Sequence, residues 1–349
     1  MLRKEHMIKK VKEVVADLPD RARDVLSRRF GLADKMGETL ESIGASYKIT
    51  RERVRQIENA ALKTLKTRLT ATELPLYLAA LAEHLGNYGG VMEQEHLVDS
   101  FHKEHLKVKD TSPVGRGSVL LLLSADDRFK RRRGNDYYWP HWYLHDDRLK
   151  TLEQVVAFLK EHFGTNPRSL RVEDLKSLLA ERALPVDAPV IVAHVEVSRH
   201  LGHNKFGDFG LIHWPDVRPK GVKDKAYLVM KNHGQPLHFS KVAALINEHK
   251  FSDRRALSQT VHNELIKDKR FVLVGRGIYG LREWGYEPGT VKDILIQVIR
   301  DNRAPMDKQA LVDEVLKRRL VKANTVLLNL HNRREFERQK DGRYALRQV

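Results

Sequence analysis

Apolar residues in the first part of the chain recur every three or four positions, which is the period of a helix buried on one side. The clearest stripe is formed by Val54, Ile57, Ala61 and Leu65. It predicts a helix that begins after Thr50, because the Thr50 hydroxyl can accept an amide N–H that the first helical turn leaves unpaired.

A shorter helix is predicted just before it, from about residue 40 to 47, behind Thr39 and closed by a turn near Lys48. Two helices joined by a tight turn make a helix-turn-helix. The second helix carries Arg, Glu and Gln on its polar face, and these side chains can hydrogen-bond to base edges in the DNA major groove. A solvated helix of an ordinary bundle has the same pattern, so the pattern alone leaves both interpretations open.

The remainder of the chain contains an internal repeat. Residues 260–282 align without gaps on residues 325–347, with a shift of 65, and match in Thr, Val, Leu, Phe, Tyr and Arg positions. A shift of 142 places the same segment over residues 118–140, and a weaker match places 277–284 over 207–214. These registers predict four copies of one structural unit. They bring three tryptophans, Trp142, Trp214 and Trp284, to one equivalent position.

Each copy follows one predicted plan. An amphipathic helix, such as 240–248, precedes a second helix, such as 257–267. Two short strands, 271–274 and 278–281, then flank Gly275-Arg276-Gly277, a turn that suits a hairpin. Helices followed by a hairpin form a winged helix, and the tryptophan after the hairpin is expected to pack the wing onto the helices. The predicted fold class is therefore mainly α: an N-terminal helix-turn-helix domain followed by tandem winged-helix domains with small β-hairpin wings.

The predicted organisation has six segments. They are a helix-turn-helix domain (1–70), a helical linker (71–88), winged helix 1 (89–146), a divergent winged helix 2 (147–217), winged helix 3 (218–287) and winged helix 4 (288–349).

The chain of 349 residues is strongly basic, with 63 Lys and Arg against 46 Asp and Glu and a formal net charge of +17. The excess lies mainly in residues 1–70 and 224–349, whereas residues 71–223 are nearly neutral. Such a charge favours a polyanionic partner, with solubility alone as the alternative. Both ends of the chain are therefore expected to suit DNA.

The first module resembles region 4 of bacterial primary sigma factors. The resemblance lies in residues 18–32 and 39–65, and is most specific in the run Thr50-Arg51-Glu52-Arg53-Val54-Arg55-Gln56-Ile57-Glu58. It implies a module that reads the −35 promoter element and packs on the β-subunit flap of RNA polymerase. Asp20 departs from the family, whose members often carry arginine there, and the adjacent Arg21 supplies the same charge one position later. The DNA-binding residues that the resemblance implies are Arg29, Thr39, Thr50, Arg51, Glu52, Arg53, Arg55 and Gln56.

A second resemblance covers residues 224–286. The segments Pro236-Leu237-His238-Phe239 and Gly275-Arg276-Gly277-Ile278-Tyr279 are similar to the HARE-HTH domain, a winged helix of polymerase, chromatin and restriction-modification proteins. The resemblance implies contact with DNA or polymerase without deciding between them. The other three copies are similar to the HARE-HTH domain only through their alignment with this copy.

Two basic spots are predicted in the wings. Lys130, Arg131, Arg132 and Arg133 are placed in the hairpin turn of the first copy, and Arg276 at the same place in the third. Such side chains can contact the phosphate backbone or the minor groove. A solvated loop is the alternative.

Candidate chemistry is sparse in this sequence. There are no cysteines, which excludes disulfides and cysteine-zinc sites. His102 and His105 share a predicted helix face but have no obvious third ligand, so no metal site is expected. No catalytic residues and no cofactor are predicted, and the protein is not expected to be an enzyme. The N-terminus has no signal-peptide pattern, and no apolar run is long enough to span a membrane.

The sequence therefore predicts a promoter-acting transcription regulator, located in the cytoplasm with the nucleoid. Its expected partners are double-stranded DNA with a −35-like element and the RNA polymerase core through the β flap, and no membrane. Two alternatives stay open. One is a DNA-specificity accessory subunit of a restriction-modification system, and the other is a polymerase-bound protein-interaction scaffold.

Overall fold

Helices dominate the structure, a computed structural model that describes residues 2–33, 35–108 and 112–347. Helices contain 57% of the residues, and every sheet is small and antiparallel, so the predicted mainly-α class is confirmed. The chain divides into two compact units, residues 1–213 and 214–349.

The first unit begins with four helices. They are α1 (Lys4–Ala16), α2 (Asp20–Phe30), α3 (Leu40–Tyr47) and α4 (Arg51–Leu69). The last two form the predicted helix-turn-helix, with the predicted bounds for α3. A small core of Val25, Leu40, Ile43 and Val54 holds α2, α3 and α4 together. Each of these four side chains is at least nine-tenths buried, so the apolar stripe predicted for α4 faces inward at its start.

The remaining elements of the first unit repeat one order: helix, strand, two helices, two strands. The first set is α5 (Leu74–Asn87), β1 (Val91–Glu93), α6 (Gln94–Glu104), α7 (Pro113–Ala125), β2 (Lys130–Arg132) and β3 (His141–Tyr143). The second set is α8 (Asp146–Thr165), β4 (Leu170–Arg171), α9 (Val172–Glu181), α10 (Ala188–Val197), β5 (Leu201–His203) and β6 (Asp208–Leu211). In each set the last strand lies in the middle of its three-stranded sheet.

The second unit repeats this order once in full and once without the first strand. Its first set is α11 (Val222–His233), β7 (Leu237–His238), α12 (Phe239–Glu248), α13 (Ser258–Lys267), β8 (Phe271–Gly275) and β9 (Ile278–Leu281). Its second set is α14 (Val291–Asn302), α15 (Lys308–Arg318), α16 (Ala323–Leu330), β10 (Phe336–Arg338) and β11 (Tyr344–Leu346). In that set an isolated bridge from Met306 to Tyr344 stands where the other sets have their first strand.

Residues that the shift of 65 aligns in the sequence occupy equivalent positions in the structure. Val261 and Val326 are both fully buried, in α13 and α16. Phe271 pairs with Leu281, as Phe336 pairs with Leu346. The repeat therefore extends from the helices into both strands.

The predicted alignment with a shift of 142 residues is wrong beyond Phe129. Tyr137, aligned with the buried Tyr279, is 58% exposed in the connection between β2 and β3. That connection is longer than the Gly275-Arg276-Gly277 turn, so a gapless alignment loses its register there. Trp142 accordingly lies inside β3, opposite Met92 and Arg131, and not in the position of Trp284, which ends a short 3-10 helix after β9.

Helix α7 covers the outer face of the helix-turn-helix domain. It packs against α1, α2 and α4, and its Val119 and Leu122 join Val11, Leu26 and Leu65 in one core. Gly117 allows this approach, because a β-carbon there would clash with the backbone carbonyl oxygen of Phe30. The helix-turn-helix and the elements from α5 to β3 are therefore continuous in their packing.

Candidate nucleic-acid interface

The helix-turn-helix geometry depends on two caps and a tight turn. The Thr39 and Thr50 hydroxyls accept the amides of Ser42 and Arg53, at 3.1 and 3.2 Å, as predicted for N-caps. Lys48 ends α3 in the left-handed conformation, with φ of 55°. Gly44 lets the turn pass closely, since a β-carbon there would lie 2.8 Å from the Ile49 carbonyl oxygen. The N-terminus of α4 is thus fixed by its cap and by the preceding turn.

We expect Thr50→Ala to lower the free energy of unfolding by about 1 kcal/mol, because the substitution removes a cap and leaves an amide without its acceptor. Chemical denaturation measures this loss. Thr64→Ala is the matched control, since that hydroxyl bonds only to the Ala60 carbonyl within the same helix. Equal stability of the two variants would contradict the capping role.

The first turns of α4 present an exposed polar face that contains five of the predicted DNA-binding residues, Arg51, Glu52, Arg53, Arg55 and Gln56. Their partners are local. Arg55 donates to Glu52 at 2.6 and 2.8 Å, Arg53 donates to Gln56 at 3.0 Å, and Arg51 pairs with Glu41 at 3.0 Å. Exposed pairs of this kind contribute little free energy, so DNA can replace them at small cost.

Hydrogen bonds from two arginines of α2 hold this face in position. The Arg28 guanidinium donates to both oxygens of the Glu38 carboxylate at 2.9 and 2.7 Å, and Ser42 donates to it as well. These bonds, that with Arg28 first, lower the pKa of Glu38 to about 2. Arg29 donates to the Glu38 carbonyl oxygen at 2.9 Å and to the Glu58 carboxylate at 3.2 Å. Arg29 is therefore anchored beside the helix-turn-helix.

The predicted placement of the first basic spot in a hairpin turn is wrong for three of its four residues. Lys130, Arg131 and Arg132 form strand β2 and pair with β3, and only Arg133 follows the strand. Lys130 and Arg132 form ion pairs with Asp146 and Glu153 of α8. A run of basic residues fits a strand here because exposed edge positions accept charged side chains.

Arg131 faces the helix-turn-helix domain. Its guanidinium lies 5.9 Å from the ring centre of Trp142 and donates to Gln94 at 3.0 Å. It lines one crevice together with Arg29 and Arg116. Desolvation in this crevice and the nearby arginines, Arg29 first, lower the pKa of Arg131. Arg29 and Arg131 therefore repel each other at the crevice, which is also lined by Glu58, the carboxylate partner of Arg29.

The wing of the third repeat is simpler. Arg276 lies between Gly275 and Gly277, and Gly277 has a φ of 70° that suits glycine. Within the described residues, the Arg276 side chain makes no ion pair or side-chain hydrogen bond. The predicted turn is confirmed as the connection between β8 and β9. Its contact with DNA stays a prediction.

The two resemblances correspond to family models. The model of sigma-70 region 4 matches residues 14–67. The HARE-HTH model, whose description names ASXL and a restriction endonuclease HTH domain, matches residues 221–284. The chain therefore contains a sigma-70 region 4 domain at its N-terminus and a HARE-HTH domain in its second unit. Together these matches cover about a third of the chain.

The curated relatives are RNA polymerase sigma factors, and each alignment covers a small share of both proteins. The RNA polymerase sigma-C factor of Nostoc sp. is 40% identical over 82 residues, 24% of this chain and 20% of that protein. The RNA polymerase sigma factor SigA of Lactococcus lactis subsp. cremoris is 52% identical over 54 residues, 16% of this chain and 15% of that protein. The chain thus spans about a fifth or less of the length of these relatives. In residues 2–33, 35–108 and 112–347 no helix has both the length and the apolar character needed to cross a membrane.

Proposed function

We propose that this protein is a promoter-acting transcription regulator. In this proposal α4 enters the major groove of a −35-like element, and the repeats add contacts to DNA or to RNA polymerase. The observation that carries the proposal is the exposed polar face of α4, with its capped N-terminus, in a domain of the sigma-70 region 4 family. Arg51 and Gln56 are assigned to base edges, and Thr39 and Thr50 to phosphates at helix N-termini.

The crevice beside the helix-turn-helix extends the proposed interface. Arg29 and Arg131 belong to different elements but line the same opening. A phosphate bound there would relieve the repulsion between their guanidinium groups and gain charge-assisted hydrogen bonds. We therefore assign both residues to the DNA backbone, with Arg133 and Arg276 as further backbone contacts, and expect the protein to associate with the nucleoid.

Polymerase binding is the second part of the proposal. The relatives are named as RNA polymerase sigma factors, which supports docking on the polymerase core, and the β flap is the proposed site. The apolar face formed by α1, α2 and α4 is covered by α7, so a docking surface must lie elsewhere on the domain or α7 must move.

Genome-wide occupancy in the native host tests the promoter assignment, comparing the wild type with Arg51→Ala/Gln56→Ala. We expect peaks at −35-like elements that vanish in this variant. In binding assays, each substitution is expected to reduce discrimination against scrambled DNA by about 1–3 kcal/mol. Gln297→Ala/Arg300→Ala is the matched control, because both residues are exposed on α14. Unchanged peaks in the first variant would overturn the base-reading assignment.

An accessory role in a restriction-modification system is the second candidate function. The observation that favours it is the HARE-HTH domain, whose family description includes restriction endonucleases. Co-purification distinguishes the two candidate functions. A transcription regulator is expected to co-purify with core polymerase subunits, whereas an accessory subunit is expected to co-purify with a methyltransferase or nuclease. If the protein is a polymerase-bound scaffold, polymerase subunits co-purify with it, and their affinity for the protein does not change when Arg51 and Gln56 are replaced.

A further inference from the structure

A histidine-carboxylate cluster lies between α5 and the end of α6, in a part of the chain that the proposed DNA interface does not use. It consists of His84 on α5, Glu104 at the end of α6 and His105 directly after it. One ligand atom from each lies within 4.8 Å of the others. The sequence places His102 and His105 on one predicted helix face and predicts no metal site there. In the structure His102 is buried, its Nδ1 contacts the Val98 carbonyl oxygen at 2.8 Å, and it is not part of this cluster.

The distances fit a tetrahedral metal ion. His84 Nδ1 lies 3.2 Å from His105 Nε2 and 3.6 Å from Glu104 Oε2. Zinc binds histidine nitrogen at about 2.0–2.1 Å, so two ligands of a tetrahedral site are separated by about 3.3 Å. Both measured separations are close to that edge length. The ligand atoms of Glu104 and His105 lie within 4.8 Å of each other.

The hydrogen bond that His84 makes through Nε2 leaves a lone pair on Nδ1, the nitrogen that faces His105 and Glu104. Ser100 Oγ donates to the His96 carbonyl oxygen at 2.6 Å, so the Ser100 oxygen accepts a proton from His84 Nε2, which lies 2.8 Å away. The tautomer that fits these bonds carries its proton on Nε2 and a lone pair on Nδ1. A neutral imidazole held through its second nitrogen is the usual form of a metal-binding histidine.

The other two ligands are also oriented by neighbours. The Tyr88 hydroxyl donates to Glu104 Oε1 at 2.8 Å, which leaves Oε2 for the cluster. The His105 ring stacks on Phe101, with ring centres 5.0 Å apart. Without a cation, His105 Nε2–H donates to His84 Nδ1 while the Glu104 carboxylate faces the same lone pair. A divalent ion satisfies all three acceptors once the His105 proton lies on Nδ1.

We propose that His84 Nδ1, Glu104 Oε2 and His105 Nε2 bind one divalent transition-metal ion of the zinc class, with water as the fourth ligand. Two nitrogens and a carboxylate oxygen suit zinc better than magnesium or calcium, which prefer oxygen ligands. The position of Glu104 at the protein surface leaves room for the water. The ion joins α5 to the C-terminal end of α6 and stabilises the first repeat. This site is independent of the proposed function.

Zinc titration of the tag-free full chain tests the site, with a chromophoric chelator as competitor. Seventeen histidines are present, so variants are needed to assign the binding. We expect one tight equivalent per wild-type chain and a rise in melting temperature with zinc. Glu104→Gln and His105→Asn are expected to weaken affinity at least a hundredfold, and Tyr88→Phe about tenfold through lost orientation of Glu104. His233→Asn, at an exposed position on α11, should bind as the wild type does.

Cobalt supplies a second measurement. Cobalt(II) bound at a tetrahedral site gives visible absorption bands, which Glu104→Gln should abolish while the exposed position of Glu104 preserves the fold. Absence of a tight equivalent in the wild type would overturn the proposal and leave the contact between His84 and His105 as a hydrogen bond. Equal zinc affinity of the wild type and His105→Asn would also overturn the proposal.

Discussion

Replacement of Gly117 by alanine is expected to lower the free energy of unfolding of the first unit by about 3 kcal/mol. The added β-carbon would clash with the carbonyl oxygen of Phe30, which is a backbone atom of α2 and cannot rotate away. Relief requires α7 to move off α2. That movement opens the core in which Val119 and Leu122 contact residues of the helix-turn-helix domain.

Urea unfolding followed by circular dichroism measures this change, and Gly164→Ala is the matched control. Gly164 also lies in a helix, but nothing lies within 4 Å of the β-carbon that alanine would add. The control is expected to be neutral or stabilising by up to about 1 kcal/mol, because alanine favours helix. If Gly117→Ala were as stable as the control, α7 would not be packed on α2 as described.

The Gly117→Ala variant also distinguishes two modes of polymerase docking. If docking uses the face of α1, α2 and α4, loosening α7 exposes that face, and binding to a β-flap fragment strengthens. If docking uses another face, binding is unchanged or weaker. Surface-coupled binding assays under conditions where both variants remain folded measure the difference.

Local signals in the sequence were sufficient for the helix-turn-helix. Thr39 and Thr50 identify two helix starts because their hydroxyls cap the first turns, and the apolar period identifies the buried side of α4. The 65-residue register was also predictable, because two copies of equal length preserve both helix and strand positions. These features depend on residues close together in the chain.

Features that depend on long-range packing were not predictable. The segment 71–88, predicted as a helical linker, contains α5, whose Leu74, Leu81 and Leu85 are fully buried in the core shared with α7. Lys130, Arg131 and Arg132 form a strand because β3 pairs with them, although the composition of this basic run alone indicates a loop. His84 reaches His105 across 21 residues through the packing of α5 on α6, and no spacing rule encodes that contact.

DNA affinity is expected to fall about a thousandfold between 50 and 200 mM salt if six phosphates are neutralised. The net charge of +17 and the outward face of α4 favour contacts of this number. The physical reason is counterion release, because each phosphate contact frees a condensed cation whose entropy gain shrinks as salt rises. Fluorescence anisotropy with a labelled −35-like duplex measures the slope.

Arg29→Gln/Arg131→Gln tests whether the crevice contributes two of these contacts. The double variant is expected to reduce the salt slope by about two, so that the same increase in salt lowers affinity only about a hundredfold. Glutamine retains the apolar stems, which limits any packing loss. Lys150→Gln/Lys176→Gln removes the same charge from α8 and α9 and should keep the wild-type slope. If both double variants changed the slope equally, net charge and not the arrangement of arginines at the crevice would control binding, and Arg131 would have no specific role in the interface.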